Sequence, residues 1–346
     1  MGMAKRKYSK RSKIEPSVQT FTFANISTPP GTATANYIDL SQVASLVNRR
    51  FYRQGINWAV AGFKVLSDGN PVSLQMNKLP NTWVMSNSWE KGFRAWQKMN
   101  REALAEAESI RPKFLDFKIY ANAGHHTAGF GGNLLPQSGF GDVADPGEWE
   151  PSKFVMPDTT QGATGGINNY EVIATGANFP GGGASGLNAV SLIEGYAASR
   201  GLPEVLDPNT PDDAADASGT TPENWLTALF NEGQAQDDQV ITDMITENNV
   251  APYPFENGPV VGGGTFGDTM YPGGANQMVG LEVHDIEYVT GTTIGGTTRL
   301  KGGNFPCGLI EFAVVNSGDN ESTLTLQIDL IPGNHRGYLC ESMTEM

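Results

Sequence analysis

Residues 323–330 read TLTLQIDL, and this run constrains the fold more than any other stretch of the chain. Leu324, Leu326, Ile328 and Leu330 alternate with Thr325, Gln327 and Asp329, so an extended backbone gathers the aliphatic side chains on one face and the polar ones on the other. A helix would scatter them around its axis. Similar alternation marks VQTFTF at 18–23, FLDFKIY at 114–120, and Val72 to Met76. The last follows INWAVAGFKVLSD at 56–68 and the turn residues Gly69, Asn70 and Pro71. Strands are also expected at 170–175, 279–289 and 308–316. Strand patterns at both ends of the chain predict a sandwich in which early and late strands pair.

Between these ends the pattern changes. The chain has 42 glycines and 21 prolines, and many fall in runs such as AGFGGNLLPQSGFGD and NFPGGGASG, which favour loops over packed elements. Residues 121–278 read as a loop-rich insertion region, with helices expected at 189–199 and 222–247. The clearest helix lies earlier. Asn87 can cap it, with Glu90 in the reciprocal position. Trp89, Phe93, Trp96, Met99, Ala103, Leu104 and Ala107 then form one apolar stripe opposite Lys91, Arg94, Lys98 and Arg101. The stripe reads as core packing. The basic side reads as a solvated face, with nucleic-acid contact as the alternative.

Charge divides the chain unevenly. Residues 1–13 carry Lys5, Arg6, Lys7, Lys10, Arg11 and Lys13 and no acid, whereas the other 333 residues hold 17 basic and 37 acidic side chains, a net of −20. Such a tail, predicted to be disordered over 1–17, attracts a polyanion by neutralising phosphates without a folded binding surface. No apolar stretch follows the tail as a secretory signal requires, and no run of about 18 apolar residues marks a membrane span. Cys307 and Cys340 read as buried thiols.

Catalytic chemistry finds little support in the motifs. His125, His126, His284 and His335 show no zinc-ligand spacing with the cysteines. Gly181–Gly186 reads GGGASG, without the lysine of a phosphate loop or the flanking glycines of a nucleophile elbow around Ser185. Asp207, Asn209, Asp212, Asp213 and Asp216 read as a solvated acidic loop, with oxygen ligands for a structural divalent cation as the alternative; they lack the glycine and glutamate of an EF-hand loop. No cofactor and no enzymatic activity are expected.

Three segments carry a family resemblance: the tail AKRKYSKRSK, the stretch from Arg49 to Asn100 with KLPNTWVMSNSWEKGFRAWQKMN, and the closing IDLIPGNHRGYLCESM at 328–343. Together they resemble capsid proteins of small circular single-stranded DNA viruses that encode a replication initiator. The resemblance implies an all-β chain, a single jelly-roll sandwich at 18–346 with helical and glycine-rich loop insertions, behind a basic arm at 1–17. It implies a virion shell subunit, assembled in the host nucleus or cytoplasm. That subunit would form a homo-oligomeric icosahedral shell, package single-stranded DNA through the six arm cations, and offer a surface to a host receptor. Trp83, Trp89, Trp96, Pro332, Gly333 and Gly337 enter as framework positions, with Phe93 on the same helix face. The alternative reading is a β-sandwich module for glycan binding or attachment.

Overall fold

The structure is a computed structural model that describes residues 17–68, 70–106, 116–139, 141–157, 167–200, 226, 280–290 and 297–346. The six tail cations, the acidic run at 207–216 and nearly all of the helix expected at 222–247 lie outside the described residues.

The chain opens with strands β1 (Thr20–Thr28) and β2 (Ala33–Asp39), helix α1 (Leu40–Asn48), strands β3 (Ile56–Ser67) and β4 (Val72–Lys78), and the long helix α2 (Trp83–Glu106). Its middle supplies α3 (Ala123–Ala128), β5 (Lys153–Pro157), β6 (Ile167–Ile173), β7 (Ala189–Ser191) and α4 (Leu192–Arg200). The closing part holds β8 (Glu282–Val289), β9 (Thr297–Phe305), β10 (Leu309–Asn316), β11 (Ser322–Leu330), β12 (Pro332–Gly333), β13 (Gly337–Tyr338) and β14 (Cys340–Ser342).

Two antiparallel sheets face each other. The first runs β1-β11-β3, with β9 and β14 both pairing with β3; the second runs β2-β10-β4-β8. Alternation supplies the core between them. Leu324, Leu326 and Ile328 of β11 meet Phe312 and Val314 of β10, all fully buried. β1 obeys the same rule through a correction in its own backbone. Phe23 faces Leu326 and Ile26 faces Leu324, so Ala24 and Asn25 oppose a single residue, with Asn25 at φ 60°. This bulge switches the inward set from Phe21 and Phe23 to Ile26 and Thr28, keeping both halves of the strand buried.

A second core lies outside that sandwich. The inner face of α2, with Met85, Trp89 and Trp96, packs with Phe117, Phe154, Val172, Val190 and Leu192. The second core draws on a separate sheet, β5-β6-β7, in which β6 and β7 run parallel. Thr82 begins the helix, its hydroxyl accepting from Met85 N–H at 3.4 Å. The start therefore falls five residues before the Asn87 cap expected from sequence. Asn87 lies inside the helix, exposed.

The all-β reading is accordingly corrected. Among the described residues the chain is a mixed α/β structure with four separate sheets, and α2 anchors a core of its own rather than decorating one jelly-roll sandwich. The resemblance to single-stranded DNA virus capsid proteins, and the icosahedral shell-subunit function drawn from it, are corrected with it, because both imply a single all-β jelly-roll sandwich and the fold is mixed α/β with separate sheets. One strand expectation also fails. Residues 116–119 form no strand, because their amides bond to side chains: Lys118 N–H to Ser152 Oγ at 2.9 Å, and Ile119 N–H to Gln54 Oε1 at 2.7 Å. A segment satisfied this way needs no ladder partner.

Candidate interaction face and aromatic cleft

The outer faces of the two large sheets differ in kind. Across the first, one row reads Thr22, Gln327, Lys64, Arg299, polar as a solvated face requires. Across the second, one row reads Ala33, Val315, Ser73, Tyr288 and the next Ala35, Ala313, Gln75, Ile286. Neither of these rows holds an ionisable carboxylate or a cation. Val315 is 42% exposed, Ile286 46%, Val283 49% and Tyr288 65%, so the apolar groups are offered to solvent. Four strands and the spacing of alternate residues give a patch on the order of 300 Å².

A third row bounds it. Tyr37, Glu311, Asn77 and Val283 lie in register. Tyr37 is covered by α3, its ring stacked on His125 at 4.5 Å. Glu311 accepts from Asn77 Nδ2 at 2.7 Å and from Asn122 Nδ2 at 3.1 Å, which ties its charge into the covered end. The edge beside the patch is blunted. β8 bulges between its pairs to Met76 and Asn77, and Asp285 lies on the inward side, accepting from Lys301 N–H at 2.8 Å. Bulges and inward charges disfavour strand-to-strand pairing, so the face, rather than the edge, is the open contact.

A cleft of about 290 Å³ lies elsewhere, between the segment after α1, the inner face of α2 and the chain's last turns. Trp89 and Phe93 stack at 4.9 Å along one side, with Phe117 5.9 Å from Phe93. Asp116 lines the cleft with a side chain only 4% exposed, and its Oδ2 lies 3.7 Å from Lys118 Nζ. Burial pushes the Asp116 carboxyl up to about 6; Lys118, Arg53 and the Gln54 amide oppose the rise, and Asp39 adds to it. A raised carboxyl pKa means the fold binds the proton more tightly than the unfolded chain. That stability is present below about pH 4 and is lost as pH rises through 6. Asp116→Asn should therefore stabilise the protein at pH 7.5, by at most about 3 kcal/mol, and leave it near wild type at pH 4. Urea unfolding at the two pH values reads the difference, and an equal effect at both would refute the assignment.

His125 and His126 are structural in their bonding. His125 is buried and held down to about 3 by desolvation, hence neutral. Its Nδ1 accepts from Ala121 N–H at 3.1 Å, so the proton sits on Nε2, which donates to Asn133 Oδ1 at 2.8 Å. Asn133 passes the chain to Gln42 Oε1 at 3.0 Å. His126 Nε2 lies 2.9 Å from Glu171, both side chains fully buried. The glycine run packs on this ring: a Cβ at Gly183 would come within 2.5 Å of His126 Cε1. Among the described residues no three or more metal-ligating side chains converge, and Ser185 is exposed, with its hydroxyl turned to Leu187 N–H.

Sequence-singled residues disperse accordingly. Trp89 and Trp96 are buried, Trp83 and Phe93 half-buried, and Lys91, Arg94, Lys98 and Arg101 exposed, with Arg94 paired to Glu90. Pro332, Gly333 and Gly337 form the β12–β13 hairpin. There Gly337 takes φ 103°, and a Cβ on Gly333 would strike the Leu339 backbone at 2.5 Å. The hairpin positions Tyr338, whose hydroxyl donates to Val18 O at 2.6 Å and stitches the last strands to the first. The neutral sheet face escaped the sequence reading because it needs the register of four strands from three regions. No protein-family model, curated protein or solved structure matches this chain.

Proposed function

We propose that the protein is a non-catalytic subunit of a homo-oligomer, whose copies meet through the outer face of the β2-β10-β4-β8 sheet. The observation that carries this reading is the absence of carboxylates and cations from two adjacent exposed rows of that face. The chain bears a net charge of −14, so two copies repel wherever charged surfaces approach. A neutral apolar patch is where they can touch at least cost, and a two-fold axis lets one patch serve both partners. A stable interface usually buries about 800 Å² per partner. The patch provides under half of that, so it is the centre of a larger contact and association is concentration-dependent.

Introduced thiols test the placement. Cys307 is buried and Cys340 half-buried, so Val315→Cys adds an exposed thiol at the patch. It should give a disulfide dimer on mild oxidation, whereas Thr323→Cys on the outer face of the first sheet should not. Equal crosslinking at both positions, or none at Val315, would place the contact elsewhere.

A further inference from the structure

The edge of the second sheet that lies opposite β8 is open. Tyr37 O accepts from Leu134 N–H at 2.7 Å, and Leu134 belongs to no strand, so the backbone groups of Tyr37 point away from β10. Those groups alternate in direction along a strand, which turns the N–H and C=O of Ala33 and Ala35 outward as well. Among the described residues neither alanine has a hydrogen-bond partner on that side, and both are exposed. The devices that blunt β8 are missing here. β2 pairs with β10 without a bulge, and residues 33–37 include no charged side chain and no proline. An exposed edge of this kind is a template for a further strand.

Leu134 also sets the register, because it already occupies the Tyr37 carbonyl. An added strand must therefore pair over residues 33–35. An antiparallel copy of β2 does so when a two-fold axis passes through Thr34. Ala33 then exchanges both backbone bonds with the partner's Ala35, and Thr34 faces its own counterpart at a non-hydrogen-bonded position. Continuity and charge favour a second copy as the occupant. Ala33 and Ala35 begin the two apolar rows of the contact face, and an uncharged edge lets two copies of net charge −14 approach.

We infer that the free edge of β2 pairs antiparallel with β2 of another copy about a two-fold axis at Thr34, joining two face-paired dimers into a tetramer. This inference rests on the face contact proposed above. The edge axis is normal to the sheet and the face axis lies parallel to it, so the two are perpendicular, as a closed tetramer of this symmetry requires. Thr34 sits level with the middle of the two apolar rows, where the axes can cross. About four hydrogen bonds at one edge are too few to hold two monomers together, but two such edges between two dimers act jointly.

Sedimentation equilibrium of the full chain should show mass rising from dimer to tetramer with concentration. Thr34→Cys should form a disulfide across the edge on mild oxidation, since Cα atoms about 4.5 Å apart at such a position suit the bond. Ala35→Pro removes an outward N–H and leaves the β2–β10 ladder whole, because Thr34 and Asn36 are the residues that bond β10. It should halve the limiting mass, from tetramer to dimer, while Val315→Cys in the same chain still crosslinks. Amide exchange at Ala33 and Ala35 should slow about tenfold or more as the tetramer forms. The inference fails if association stops at the dimer, if Val315→Cys crosslinks and Thr34→Cys does not, or if Ala35→Pro keeps the tetramer. Each of those results leaves the face contact standing. Absence of crosslinking at Val315 would instead overturn the face contact, and the tetramer with it.

Discussion

Asp39→Ala should cost about 3–5 kcal/mol of folding stability. Asp39 is completely buried, and it ends β2 and caps α1. Its Oδ1 accepts from the Ser41 and Gln42 amides at 2.9 and 3.3 Å and from the Ser41 hydroxyl. Its Oδ2 accepts from Gln54 Nε2 at 3.0 Å and Trp149 Nε1 at 2.9 Å. Burial raises the carboxyl pKa, and those bonds oppose the rise. Alanine removes a helix cap worth about 1 kcal/mol. It also strands the Gln54 and Trp149 donors, each orphan costing about 1–3 kcal/mol. Gln54 also bonds Ile119 on both its backbone groups, so the defect spreads from the sandwich into the segment that leads to the second core. Urea unfolding measures the loss. A cost below about 1 kcal/mol would mean that water replaces the carboxylate in the variant and that the cluster holds little together.

Trp96→Ala should cost about 3–5 kcal/mol as well, through a cavity rather than stranded polar groups. Trp96 is 6% exposed and packs against Phe117 at 5.5 Å and Phe93 at 6.5 Å. Phe117 in turn meets Phe154 on β5 at 6.3 Å. The indole therefore joins α2 to the small sheet, and its loss leaves a volume that these rigid rings cannot fill. Near-UV circular dichroism should lose signal from the aromatic cluster. The sandwich core, built from other residues, should keep its strand spectrum up to the shifted transition. Wild-type stability would show that α2 rests on the surface and anchors no core.

These two sites also mark how much the sequence disclosed. The alternation of 323–330 placed β11 to within one residue of its observed limits, and the pairs at 56–68 and 72–76 became β3 and β4. The apolar stripe of α2 found its buried face. Helix α1 was missed although its signal was present: Asp39 is followed three residues later by Gln42, the spacing of a cap and its reciprocal partner. The preceding ATANYID hid the cap, because its small and polar residues show no apolar alternation to mark a strand ending there. β9 was missed because Gly302 and Gly303 look like a break. They are needed there, since a Cβ at Gly302 would come within 2.3 Å of the Val60 and Ala61 carbonyls. The outer face and the cleft lay beyond any local pattern. Ala33, Val315, Ser73 and Tyr288 form one row only after four strands pair, and Asp116 meets Trp89 only when α2 folds back. The all-β reading failed for the same reason: periodicity located elements but carried no sign that α2 would gather a second core.

Sedimentation equilibrium of the full chain, run over a wide concentration range at about 0.05 and 0.5 M salt, tests self-association most directly. A contact made by a neutral apolar face between two anionic copies should tighten as salt screens their repulsion. The double substitution Ile286→Lys with Tyr288→Lys should return the protein to monomer without changing its unfolding midpoint by more than a surface substitution does. A monomer at every concentration, an association weakened by salt, or an oligomer indifferent to the two lysines would contradict the account.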